Sequence, residues 1–212
     1  MIGRALQRPI GNISFTNAVI AAGSNLSSTE HISERIVSKA ICGVGRLAGS
    51  TPRVSRFYRT PAFPAGSGPD FVNAAFAIDW SGTPEDLLLL LHEVEAEAGR
   101  TRTKRWEARV LDLDLVAFGA CVRPDAETQA LWRNLPLDEA ARRAPDQLIL
   151  PHPRLQDRGF VLVPMADIAP DWCHPLTGLS VQQMLDALPA SDLADIHPIE
   201  GDSGLVFPGS GG

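Results

Sequence analysis

RWEARVLDLDLVAF, residues 105–118, changes character at its midpoint. From Val110 onward the residues read as a strand over 110–118. Side chains alternate across a strand, so Leu111, Leu113 and Leu115 point one way and Asp112 and Asp114 the other. Such a strand has core behind it and something polar in front. Just ahead of it, Arg100, Arg102, Lys104, Arg105 and Arg109 place five cations within ten positions.

Working outward, Thr83-Pro84-Glu85 is a helix start: a cap, proline in the first turn, then an acid against the dipole. That helix should run to about Ala98 and stop at Gly99. FVNAAFAIDW (71–80) reads as a strand behind a Gly/Pro/Ser loop, AFPAGSGP (62–69). Residues 54–59 read as another strand, ended by Pro61 and Pro64. AVIAA (18–22) is a short buried strand closed by Gly23-Ser24-Asn25. Ser27 or Ser28 could cap a helix over 29–47, with Ile32, Ile36, Val37, Ala40, Ile41 and Val44 at helical spacing.

The order is β-α-β-β-α-β, the split β-α-β pattern. It predicts an α+β domain: an antiparallel sheet with helices on one face and the other face free for a ligand. After Gly119 the pattern weakens, and residues 120–147 read as an insertion with one helical piece near 127–133. Features return at LILPHPRLQDRGFVLVPMADIAPDW (148–172), and a short helix near 181–188 closes a C-terminal extension. We expect a loose leader over 1–16, a single domain over 17–190 and a flexible Gly/Pro/Ser-rich tail over 191–212.

Composition narrows the function. The chain has 212 residues, 44% hydrophobic and 21% charged, with a net charge of −6, which argues against a general nucleic-acid coat. Cys42, Cys121 and Cys173 are odd in number, widely spaced and form no C-x-x-C. They read as reduced thiols in a cytoplasmic protein. The longest aliphatic run, 87–91, falls far short of the ~20 residues of a membrane span. No G-x-x-x-x-G-K-[ST] phosphate loop is present, and Gly43 and Gly45 read as a helix stop.

Two carboxylates on one strand face repel unless something positive lies between them. A hard divalent cation such as Mg²⁺ answers that need and keeps water and phosphate oxygens as its other ligands. The alternative is a half-exposed polar face. A crowd of arginines is useful when a polyanion bridges them, and the alternative is a solvated basic loop. Joined in one stretch, acids and arginines look like a nucleoside triphosphate–Mg²⁺ site. PHPRLQDRGF (151–160) adds His152, Arg154, Arg158 and Phe160. A histidine fixed between two prolines could donate to phosphate or simply hold the loop. No zinc-type spacing surrounds it. Phe63, Phe71, Trp106 and Phe160 are either core or a stacking surface for a flat heterocycle. Asn73, two after Phe71, faces the same side and could pair with an amide-like edge.

Taken together, AAGSNL (21–26), FYRTP (57–61), PDFVNAAFAI (69–78), GRTRTKRWEARVLDLDL (99–115) and LPHPRLQDRGFVLVPMADIAP (150–170) resemble the 6-hydroxymethyl-7,8-dihydropterin pyrophosphokinases of folate biosynthesis. The resemblance spans about residues 18–190 and implies a ferredoxin-like fold. It implies that pyrophosphate passes from MgATP to the pterin's hydroxymethyl oxygen and AMP leaves. Asp112 and Asp114 match ligands of two Mg²⁺ ions, and Arg100 and Arg109 match catalytic arginines. Arg102, Arg105, Trp106, His152 and Arg158 match ATP-binding positions, as does the backbone of Leu115. Phe71 and Phe160 match the two rings that sandwich the pterin, and Thr60, Pro61, Phe63, Asn73 and Trp106 line its pocket. The implied partners are ATP and the pterin, with no nucleic acid and no membrane. Glu107-Ala108 stands where the family often has Gly-Pro, Phe71 where it often has Tyr, and Ala62 replaces a second proline. Two other readings compete: a ferredoxin-like RNA-binding module, against which stand the acids and the missing RNP1 pattern, and the same fold acting on another phosphoryl acceptor.

Overall fold

The computed structural model describes residues 14–26, 30–62, 68–99, 110–140 and 142–200. Its strands are β1 (Thr16–Ser24), β2 (Arg53–Val54), β3 (Tyr58–Thr60), β4 (Phe71–Trp80), β5 (Asp112–Phe118) and β6 (His197–Pro198). Its helices are α1 (Glu30–Ala48), α2 (Pro84–Glu97), α3 (Ala126–Arg133), α4 (Leu137–Ala140), α5 (Gly159–Ile168), α6 (Val181–Asp186) and α7 (Ala190–Leu193). The strands form one antiparallel sheet ordered β5-β1-β4-β3-β6, with β2 on β4.

Alternation along β4 builds the main core. Val72, Ala74, Phe76 and Ile78 turn to the face covered by α1 and α2, where they meet Ile20, Val37, Ile41, Leu87, Leu91, Leu111, Leu113 and Leu115. The sequence at the head of α2 does what its residue types dictate. Thr83 accepts from the Asp86 amide, the Asp86 side chain accepts from Thr83 in return, and Pro84 occupies the first turn. These two helices on one face are the split β-α-β arrangement expected from the sequence.

Three features differ from expectation. The strand expected over 54–59 is two short pieces, because Ser55 replaces backbone with side chain. The Ser55 hydroxyl accepts from the Ala75 amide and donates to the Arg56 carbonyl, which breaks the ladder between β2 and β3. Second, the face opposite α1 and α2 is not wholly free. Helix α5, unexpected from the sequence, lies across it and buries Val161, Leu162, Met165 and Ile168 against Val19, Ala75, Ala77, Val116 and Ala117. Its segment, GFVLVPMADI, is apolar but for Asp167 and contains Pro164, so it shows no clear helical stripe. Burial between sheet and α6 overrides the helix-breaking tendency of the proline. Third, the tail expected from residue 191 is folded as far as residue 200. α7 and β6 lie there, β6 pairs with β3, and the Ile199 amide donates to the Phe57 carbonyl.

Candidate active site

The uncovered part of the second sheet face is organised by strand register. Gly23 of β1 lies opposite Asp112 of β5 on one side and Asn73 of β4 on the other, and Asn73 lies opposite Tyr58 of β3. One row inward, Ala21 lies between Asp114 and Ala75. Paired residues share a face, so the two acids stand along one side of a shallow floor and Asn73 on the other. Small residues keep the floor low. A Cβ at Gly23 would sit 2.8 Å from Asn73 Oδ1. The Asn73 amide nitrogen donates to Thr60 Oγ1 at 2.7 Å, which leaves Oδ1 turned over Gly23 as an acceptor.

The turn after β1 fastens both sides. Ser24 Oγ donates to the Val110 carbonyl at 2.7 Å, just ahead of the acidic strand. Asn25 Nδ2 donates to the Pro69 carbonyl at 3.4 Å, just ahead of β4. Glu95 of α2 braces β5 from behind. It is buried, and its Oε1 accepts from the Leu113 amide at 2.8 Å, between the two acids on the strand edge that has no neighbouring strand among the described residues. Sequence reasoning missed Glu95. Its signal was an acid in register with Leu87 and Leu91, at a position where the helix faces core.

The 151–158 segment delivers cations and a neutral donor. The His152 amide donates to the Val116 carbonyl at 2.9 Å, which hangs the segment on β5. His152 Nδ1 accepts from the Arg154 amide at 3.1 Å, so Nε2 carries the ring proton. Burial, then the nearby Arg158 charge, push the His152 pKa down to about 3, while Asp112 opposes them. The imidazole is therefore a neutral N–H donor beside Asp112. Arg158 Nη1 is 3.8 Å from Asp114 Oδ2, and its guanidinium lies over the Phe160 ring at 5.6 Å.

Residues 120–147 brace this segment, a role without any local signal in the sequence. Arg123 and Leu150 exchange backbone hydrogen bonds of 2.9 and 3.1 Å. Gln129 of α3 donates to the Pro151 carbonyl, and Arg154 donates to the Leu135 carbonyl, each at 3.1 Å. A second tie holds α5 to β3. Asp167 accepts from Tyr58 Oη at 2.8 Å and from the Arg56 amide, Nε and Nη2 at 3.1, 3.1 and 2.7 Å. Burial raises the Asp167 pKa, but these hydrogen bonds outweigh it and hold the carboxyl below its ordinary value.

The candidate side chains among the described residues, Leu115 apart, thus fall on one face. Asp112, Asp114, His152 and Arg158 gather on the β5 side. Thr60, Phe71 and Asn73 lie on β3 and β4, Pro61 is exposed just after β3, and Phe160 is exposed at the start of α5. The Leu115 side chain is in the core, so only its backbone can meet a ligand. Phe63, Arg100, Arg102, Arg105, Trp106 and Arg109 lie outside the described residues. Among the described residues no three metal-ligating side chains gather. Two carboxylates alone suit a hard cation whose remaining ligands are water and phosphate oxygens. No helix among the described residues is long and apolar enough to cross a membrane.

The family model for 7,8-dihydro-6-hydroxymethylpterin-pyrophosphokinase matches residues 19–170. Relatives named 2-amino-4-hydroxy-6-hydroxymethyldihydropteridine pyrophosphokinase agree with it. One from Synechocystis is 33% identical over 172 residues, covering 81% of this chain and 75% of its own. One from Pseudomonas aeruginosa is 36% identical over 171 residues, covering 80% and 90%. One from Methylorubrum extorquens is 32% identical over 187 residues, covering 86% and 99%. In fold the chain is similar to Plasmodium falciparum HPPK-DHPS solved with pterin and p-hydroxybenzoate, at a TM-score of 0.57 and 13% identity. That match covers 83% of this chain and 43% of the other, so the chain spans less than half the length of that protein. Pyrophosphokinases of this kind use ATP, and with it a divalent metal. On these matches the chain belongs to the 7,8-dihydro-6-hydroxymethylpterin-pyrophosphokinase family and is an ATP-dependent pyrophosphokinase of folate biosynthesis.

Proposed function

We propose that the β5 side of the uncovered sheet face holds ATP with two Mg²⁺ ions, and that the Asn73 side holds 6-hydroxymethyl-7,8-dihydropterin. The observation that carries this reading is the grouping of Asp112, Asp114, His152 and Arg158 across a low floor from Asn73. In the transfer, the hydroxymethyl oxygen bonds to the β-phosphorus of ATP. The bond from that phosphorus to the α,β-bridging oxygen breaks, AMP leaves, and the hydroxyl proton is released. Mg²⁺ held by Asp112 and Asp114 would neutralise phosphate oxygens and fix their orientation.

The remaining work falls to the chain's own side chains. Arg158 places a fixed positive charge near the triphosphate, and Phe160 beneath it limits its swing. His152 donates from Nε2 without adding charge. Arg102 and Arg105 bind further phosphate oxygens, while Arg100 and Arg109 balance charge on the transferring group. The Leu115 backbone meets the adenine. Phe71 and Phe160 stack on the pterin, Asn73 Oδ1 accepts from its amide edge, and Thr60, Pro61, Phe63 and Trp106 close the pocket. A primary alcohol is a weak nucleophile and a triphosphate repels it, so positioning and cationic stabilisation are the main contributions available. The reduced Cys42, Cys121 and Cys173 support a cytoplasmic setting.

The test is to incubate purified protein with ATP, Mg²⁺ and the pterin and to follow AMP. AMP should appear only when all three are present. AMP formation without pterin, or none at saturating substrates, defeats the reading.

A further inference from the structure

The 120–147 segment grips the loop that carries His152 on both sides of the imidazole. Arg123 exchanges backbone hydrogen bonds with Leu150, ahead of it, and the Leu135 carbonyl accepts from the Arg154 guanidinium, behind it. Between these contacts, Gln129 of α3 donates from Nε2 to the Pro151 carbonyl at 3.1 Å. The peptide unit that joins Pro151 to His152 is therefore held at both ends. Gln129 holds its carbonyl, and the Val116 carbonyl of β5 accepts from its amide at 2.9 Å. A peptide unit is planar, so bonds at its two opposite edges stop its rotation and set the direction in which the His152 side chain leaves the backbone. The Arg154 amide then fixes the ring through Nδ1 at 3.1 Å. Of these restraints, the grip on the Pro151 carbonyl comes from a side chain, so it depends on residue type. Gln129 itself is fully buried, and its Oε1 has no hydrogen-bond partner among the described residues. An apolar side chain of the same length would avoid burying that oxygen. What it would lose is the hold on the peptide unit ahead of His152.

We propose that α3 is a working part of the nucleotide site, and that Gln129 is the positioning residue that aims His152 Nε2–H at the triphosphate. Gln129 touches no substrate in this assignment and acts through His152. The inference rests on the reading of His152 as a donor to phosphate. It gives the 120–147 segment a role in ATP affinity and none in pterin binding, because its ties run to residues 150, 151 and 154 on the β5 side of the floor.

The test is a double-mutant cycle on the full chain, read as the dissociation constant of a non-hydrolysable ATP analogue with Mg²⁺. Gln129→Met, which keeps the length and removes the donor, should weaken binding about 5–10-fold. The KM for the pterin should stay within about twofold of wild type. Gln129→Asn, one methylene too short to reach the carbonyl, should weaken binding likewise and carries the test if the methionine variant does not fold. His152→Ala should weaken binding about 10-fold or more. Adding the Gln129 change to it should cost less than about twofold further, because the group being aimed is gone. An equal loss from the Gln129 change in both backgrounds makes Gln129 a structural brace alone and overturns the proposal. Unchanged binding in the Gln129 variants while His152→Ala binds weakly overturns it as well and leaves the phosphate-donor reading standing. Unchanged binding in His152→Ala removes that reading itself, and the inference falls with it.

Discussion

Asp167→Ala is the most informative single change outside the candidate active site. The carboxylate ties α5 to β3 through Tyr58 and Arg56, and the two partners differ sharply in exposure. Tyr58 is 3% exposed, so its hydroxyl would be left buried without an acceptor, at about 1–3 kcal/mol. The Arg56 side chain is 65% exposed, so its ion pair is worth about 1 kcal/mol or less. The sum is about 1–4 kcal/mol. At about 2–4 °C per kcal/mol for a chain of this length, Tm should fall by roughly 2–16 °C. Urea unfolding followed by tryptophan fluorescence gives the free energy directly. Arg56→Ala should cost about 1 kcal/mol, including its stacking on the Tyr58 ring. Asp167→Asn, which keeps an acceptor for Tyr58, should fall between the two. Asp167 sits at the end of α5 remote from Phe160, so turnover at low temperature should stay within about threefold of wild type, under 1 kcal/mol. If Arg56→Ala destabilises as much as Asp167→Ala, the buried tyrosine is not the tie and the reasoning fails.

Asp112→Ala and Asp114→Ala should each lower kcat by about 100-fold or more, measured as AMP release. Near-normal turnover in either would remove that carboxylate from the metal site. Gly23→Ala should displace the Asn73 amide, raising KM for the pterin by about 10-fold while KM for ATP changes little. Equal effects on both substrates would contradict the division of the floor. Stability should also fall in acid through His174. Its folded pKa of about 4 lies below the ordinary 6.5, so the unfolded chain binds the proton more readily between those values. The full contribution is present above pH 6.5 and is lost as pH falls toward 4. His174→Asn, which retains an acceptor for the Leu176 amide, should flatten that part of the pH–stability curve.

Where physics is local, the sequence carried the fold. Strand β4 occupies the residues its alternation marks, 71–80, and α2 begins at the Thr83-Pro84-Glu85 signal. The LDLDL alternation likewise separates the core from the opposite sheet face. Local pattern failed where the deciding partner was distant. Asp167 meets Tyr58 across 109 residues, and nothing near either one announces the other. Helix α5 showed no clear stripe because apolar residues also occupy part of its outer side, Phe160 among them. Residues 120–147 read as an excursion because their ties to the 151–158 segment run through the Leu135 and Pro151 carbonyls, and any residue has a carbonyl. Glu95 was readable as a charge on a core-facing line, but its acceptor role depended on β5 being an edge strand.

The Ser24-Asn25 turn has a consequence for selection. One side chain fastens the chain entering the acidic strand, and the next fastens the chain entering the strand of Phe71 and Asn73. A substitution here alters the approaches to both halves of the floor together. A variant arising under pressure from a pterin-like inhibitor therefore has little room to change at this turn without also weakening its use of nucleotide. Escape should instead accumulate at positions such as Pro61, exposed and holding neither approach.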